Sequence, residues 1–127
     1  MVPRVISAND ATGRGMPPWT WRAVADLIRL DNQAGTWLLL LPSLWSLILA
    51  NHGRPPIRLL AVFVLGAFVM RSLGVVFNDL ADRRFDQHVA RTKNRPLAAG
   101  RLTPRQALLV AFGLAVLAAA LVSTLNW

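Results

Sequence analysis

The chain has 127 residues, 54% of them hydrophobic, and sets 14 Lys and Arg against six acids, all aspartate, for a formal charge of +8. A basic, nucleic-acid-binding module is disfavoured, because the arginines stand between long apolar blocks of the kind that build a membrane protein. Cysteine is absent, which excludes disulfides, thiolate catalysis and Cys-based metal sites.

Residues 1–20, MVPRVISANDATGRGMPPWT, lack the continuous apolar core of a secretory signal, and their glycines and prolines read as a flexible tail. WRAVADLIRLD, Trp21 to Asp31, intersperses apolar residues with Arg22, Asp26 and Arg29, which suits a short helix at the membrane interface. Gly35 to Asn51 supplies 17 uncharged residues, a first transmembrane candidate expected to kink at Pro42. NHGRPP, Asn51 to Pro56, is a turn. The second span begins near Ile57 and, beyond Arg58 at its start, holds one charge, Arg71, before Asn78.

Neither glycine nor proline occurs between Val75 and Arg95, so this helix can continue past the bilayer edge and carry NDLADRRFD, Asn78 to Asp86. Pro96 and Gly100 end the regular structure. Thr103, Pro104 and Gln106 then offer an N-cap hydroxyl, a proline at the first helical position and a capping-box glutamine. The third span is free of charge from Gln106 to Trp127, with Ala107, Ala111, Ala115, Ala119 and Ser123 forming a small-residue stripe that invites another helix. The expected fold is therefore an all-α membrane protein with three transmembrane helices, at about 33–51, 57–80 and 104–127. Basic residues concentrate in the N-terminal segment and between the second and third spans, which places the N-terminus and NDLADRRFD in the cytoplasm.

Asn78, Asp82 and Asp86 are spaced four and four, and at about 100° per residue they lie within roughly 80° on one helix face. An amide oxygen and two carboxylates, with no Cys, make a hard ligand set suited to Mg²⁺, whose shell is commonly completed by water and phosphate. Asp79 stands at the edge of this face as an orienting group. Downstream, Arg91, Lys93 and Arg95 offer donors to phosphate oxygens. Together these groups predict ionisation of a lipid-borne diphosphate at the membrane surface. Arg71 lies on the same face as Asn78, two turns deeper, and calls for an anion, either a substrate carboxylate or an acid of the same bundle. The bland alternative is a solvated helix end, with Asp82 or Asp86 paired to nearby arginines. His52 and His88 read as bystanders, and the tryptophans as interface anchors or packing residues.

The string GVVFNDLADRRFDQHVARTKNRPLAAGRLT resembles the first signature of the UbiA family of intramembrane aromatic prenyltransferases, NDxxDxxxD followed by a basic loop with RPL and Gly. RLDNQAGTWLLLLPSLWSL, Arg29 to Leu47, is similar to the family's first-helix entry. Phe85, Asp86, Val89, Arg91, Thr92, Arg95, Pro96 and Leu97 match the branch that prenylates 4-hydroxybenzoate in ubiquinone biosynthesis. The resemblance implies Mg²⁺-dependent transfer of a polyprenyl group from its diphosphate to 4-hydroxybenzoate at the inner (plasma) membrane. In that chemistry Asp82 and Asp86 are catalytic, Asn78, Asp82 and Asp86 hold the metal, and Arg91, Lys93 and Arg95 bind the diphosphate. Arg71 facing the aromatic carboxylate is a further expectation.

Two departures accompany the match. Asn32, Gln33 and Ala34 lie between Asp31 and Gly35 where the family often reads RxDKPxG, so the proline that shapes the helix entry is absent. The resemblance also implies a bundle of about nine helices, each satisfying its own backbone, with a second Asp-rich motif, whereas no acid follows Asp86. Residues 21–127 are thus expected to be the N-terminal third of that transmembrane domain, completed by the remaining helices or by a partner helix. The alternative is a non-catalytic three-helix membrane fragment or partner subunit.

Overall fold

The structure is a computed structural model that describes residues 20–125. The expected tail, apart from Thr20, lies outside the described residues, as do Trp19 and Trp127. Four helices follow one another: α1 (Trp21–Leu27), α2 (Ala34–Ala50), α3 (Ile57–Asp86) and α4 (Pro104–Ser123). Among the described residues the secondary structure is wholly α-helical. Helix α3 packs against both α2 and α4.

Among the described residues, α3 and α4 are long and apolar enough to cross a membrane; α2, at 17 residues, is apolar but shorter. Most of the apolar surface of these helices is uncovered, with Leu38, Trp45 and Phe112 each more than two-thirds exposed. A soluble core helix would bury that surface, so the pattern fits lipid or further helices. At about 1.5 Å per residue, the 30 residues of α3 span roughly 45 Å, against a hydrocarbon core of about 30 Å. The surplus carries NDLADRRFD as helix, as expected, but the helix ends at Asp86 rather than at Pro96, because Thr92 bonds back to Asp86 O and turns the chain.

The core sits at that end of the molecule. Ala23 and Leu27 of α1, Val76 of α3, Leu97 and Leu102 of the connecting segment, and Ala107 and Ala111 of α4 form one buried cluster. Helix α1 is therefore a cap on the α3–α4 pair, held through its most buried positions, Ala23 and Leu27. The small-residue stripe of α4 is used over one half only. Ala107 and Ala111 are buried, whereas Ala115, Ala119 and Ser123 are exposed.

Local chemistry sets the helix ends. Helix α1 stops at Leu27 rather than running to Asp31, because Arg29 adopts a left-handed φ of 54°. The amides of Leu30 and Arg29 then bond to the carbonyls of Ala25 and Asp26, at 2.9 and 3.2 Å, in a Schellman cap. The same cap closes α2, with His52 at φ 52° and Gly53 N–H donating to Ile48 O at 2.8 Å. Helix α2 runs on through Pro42 as one element. Helix α4 begins with the predicted capping box: Thr103 Oγ1 accepts from Gln106 N, and Gln106 Oε1 accepts from Thr103 N at 2.9 Å.

Candidate functional site

At the end of α3 the four polar positions separate by burial. Asn78 is exposed, Asp82 is partly buried, and Asp79 and Asp86 are buried. Helical geometry explains the division, since residues seven apart differ by only about 20° around the axis. Asp79 and Asp86 therefore share the protein-facing side, while Asn78 leads the opposite edge of the expected ladder.

Arg95 occupies the space between the two buried acids. Its Nη1 donates to Asp86 Oδ2 at 2.8 Å and to Asp79 Oδ1 at 3.2 Å. Asp79 Oδ1 also accepts from Arg29 Nη2 at 3.2 Å. The arginine-pairing alternative thus holds for Asp86, which finds its partner nine residues on rather than in Arg83 or Arg84. Asp82 has no ion pair among the described residues.

The segment between α3 and α4 is folded to deliver Arg95. Thr92 is buried, and its hydroxyl donates to Asp86 O at 3.2 Å, turning the chain back under the helix end. Arg95 N donates to Thr92 O at 3.0 Å; Pro96 O accepts from the amides of Arg101 and Leu102, with Gly100 between them at φ 74°. Leu97 and Leu102 anchor this coil in the core. RTxxRPL is therefore a structural unit: Thr92 and Leu97 fix the loop, and Arg95 reaches the acids.

Arg95, Arg91, Arg29 and Arg101 line a polar cavity of about 320 Å³ together with Asp26 and Asp31. Arg101 closes one wall by pairing with Asp26 Oδ2 at 2.7 Å and donating to Asn94 O at 3.2 Å. Lys93 is exposed and stands off this cavity, and neither Asn78 nor Asp82 lines it. Reading the sequence missed Arg29 and Arg101, whose partners lie 50 and 75 residues away. It placed Asp79 only at the edge of the ladder.

The helix entry lacking the family proline is held by side chains instead. Gln33 Nε2 donates to Arg29 O at 3.0 Å and to Leu30 O at 3.3 Å, and Gln33 Oε1 accepts from Thr36 Oγ1 at 2.6 Å. Gln33 thereby supports Arg29 in its left-handed conformation. Arg71, half-buried on α3, places its guanidinium against Gly35 and has no acidic partner among the described residues. His52 and His88 are both exposed.

Among the described residues no three His, Cys, Asp or Glu side chains converge as a metal-binding group. The donor set at the mouth of α3 still fits a hard cation in its chemistry. Asn78 and Asp82 present oxygen donors free of ion pairs, Asp86 adds a third, and Mg²⁺ takes one or two carboxylates with water and phosphate completing its shell.

The family model of the UbiA prenyltransferase family matches residues 39–127. Over 104 residues the chain is 54% identical to the 4-hydroxybenzoate octaprenyltransferase of Nitrosomonas europaea, covering 82% of this chain and 36% of that protein. It is 50% identical over 102 residues to the enzyme of the same name from Polynucleobacter asymbioticus, covering 80% and 36%. It is 52% identical over 105 residues to that of Vibrio cholerae, covering 83% and 37%. The chain thus spans about a third of the length of the curated relatives it matches. No solved structure matches it.

Proposed function

The chain belongs to the UbiA prenyltransferase family, and from that premise we propose that it takes part in transferring a polyprenyl group from its diphosphate to 4-hydroxybenzoate in ubiquinone biosynthesis. The supporting observation is the juxtaposition at the end of α3: a buried Asp86 bonded to Arg95, an Asp82 free of ion pairs one turn before it, and an arginine-lined cavity that Arg95 also lines. An anionic group arriving there meets carboxylate oxygens for its counter-cation and guanidinium donors for itself.

In this reading Asn78, Asp82 and Asp86 hold Mg²⁺, which would offset diphosphate charge when bound. Arg91 and Arg95 donate to the leaving diphosphate, and Lys93 adds an exposed positive charge at the rim. The allylic carbon–oxygen bond breaks with its electron pair leaving on the diphosphate. The ring carbon ortho to the phenol hydroxyl forms the new carbon–carbon bond and then loses its proton. Arg71 receives the aromatic carboxylate, because a half-buried guanidinium needs an anion and no protein acid among the described residues supplies one.

We further place α2, α3 and α4 as three spans of a nine-helix bundle, with residues 21–127 forming part of the domain. The mouth of α3 faces the cytoplasm of the inner membrane, following the basic residues around it. Uncovered apolar faces on α2 and α4 are the surfaces the other helices would take. The test is prenylation of labelled 4-hydroxybenzoate in membranes expressing the complete reading frame, with and without Mg²⁺. Product that depends on Mg²⁺ supports the reading, and its absence under both conditions rejects it.

A further inference from the structure

We infer that Asp79 is a positioning residue that locates Arg95 and Arg29 at the mouth of α3, rather than a member of the metal-binding set. The inference rests on the diphosphate reading of that mouth.

Asp79 is 1% exposed, and a single one of its oxygens, Oδ1, accepts from Arg29 Nη2 and from Arg95 Nη1, both at 3.2 Å. A carboxylate that deep is engaged by two guanidinium groups, and withdrawing it toward a cation would strand both arginines. Asp82, one helical turn on, carries no such commitment. The two neighbouring acids of NDLAD therefore do different work, the one facing the protein and the other facing the ligand.

The shared donor gives this arrangement its consequence. Arg95 Nη1 reaches both Asp86 Oδ2 and Asp79 Oδ1. When Asp86 turns to a cation, Arg95 loses its shorter bond but keeps its hold on Asp79, and its remaining donors are left beside the cavity it lines. Without Asp79, the long arginine side chain would regain its rotamers once Asp86 let go. Asp79 also joins three segments that are remote in sequence: the α1–α2 turn through Arg29, α3 itself, and the loop through Arg95. The left-handed backbone of Arg29, a conformation that costs a non-glycine residue stability, is held in place by the same contact and by Gln33.

The test is calorimetric binding of inorganic pyrophosphate, with Mg²⁺ present, to the purified product of the complete reading frame. Asp79→Asn is expected to weaken binding by about tenfold or more, the scale of losing one partner of a buried charge pair. It is expected to leave the Mg²⁺ concentration for half-maximal binding within about twofold, whereas Asp82→Asn raises that concentration. Because Asp79 acts through Arg95 and Arg29, adding Asp79→Asn to the protein carrying both Arg29→Gln and Arg95→Gln is expected to cost no more than about twofold beyond those two changes. Multiplying losses in that combined variant, unchanged affinity in Asp79→Asn, or a Mg²⁺ requirement raised as in Asp82→Asn each overturns the inference. If Asp79→Asn does not yield folded protein, Asp79→Glu keeps the buried charge and displaces its position; weakened binding supports the clamp and unaltered affinity overturns it. Absence of pyrophosphate binding in the unaltered protein would instead remove the diphosphate reading, and the inference with it.

Discussion

Arg71 on α3 rests its guanidinium against Gly35 on α2, in the space a side chain would fill: a Cβ on Gly35 would stand 2.5 Å from Cζ and 2.7 Å from Nη2 of Arg71. The guanidinium's position depends on the absence of a Cβ at Gly35, and a side chain there would displace it.

Gly35→Ala should therefore act on Arg71 without harming α2, where alanine is the better helix former by about 1 kcal/mol. We expect the KM for the aromatic acid to rise by roughly tenfold, the scale of displacing one charge-assisted hydrogen bond, with the prenyl-donor KM little changed. Arg71→Leu should raise the same constant at least as much. Steady-state kinetics with each substrate varied in turn reads both, and an unchanged aromatic KM in Arg71→Leu would remove the carboxylate role.

His52 closes α2 in a left-handed conformation with its side chain exposed. Glycine adopts that backbone without a Cβ penalty. His52→Gly should stabilise the protein by about 1 kcal/mol, seen as a higher melting temperature in detergent. No loss of activity should accompany it, and a lower melting temperature would show that the imidazole makes a contribution the cap geometry does not reveal.

Thr103→Ala removes the hydroxyl that starts α4 and should cost about 1 kcal/mol. Because the loop holding Arg95 ends at this cap, the stability loss should come with faster amide hydrogen exchange across residues 97–106. Exchange confined to α4 beyond that point would indicate that the loop is held independently of the cap.

Of the three basic residues in the loop, Arg95 is paired within the site, Arg91 lines the cavity, and Lys93 is exposed away from it. The KM for the prenyl diphosphate should therefore rise most in Arg95→Gln, less in Arg91→Gln and least in Lys93→Gln. Equal effects of all three would mean that general positive charge, rather than cavity geometry, binds the diphosphate.

Much of this was legible in the sequence where the signal is local. The capping box at Thr103, the turn at NHGRPP and the continuation of α3 to Asp86 each depend on residues a few positions apart, and each took the expected form. Arg29, Asp79 and Arg101 were not legible as site residues, since their roles depend on partners brought together by folding. The four-and-four spacing of Asn78, Asp82 and Asp86 does put them on one side of α3. Spacing alone does not say which edge of that side faces protein, and burial of the Asp79 edge is what ties Asp86 to Arg95. The end of α1 was missed for a related reason: Arg29 leaves the helix for a left-handed turn that its bonds to Asp79 and Gln33 support, and no glycine marks the place.

The most direct measurement is the rate of 4-hydroxybenzoate prenylation by the product of the complete reading frame, unaltered and as Asp82→Asn, across a Mg²⁺ titration. We expect the unaltered protein to form prenylated product only with Mg²⁺ present, and Asp82→Asn to need a higher Mg²⁺ concentration or to lose turnover. Product formed at equal rates by both proteins, or formed without Mg²⁺, would contradict a metal–diphosphate site at the mouth of α3.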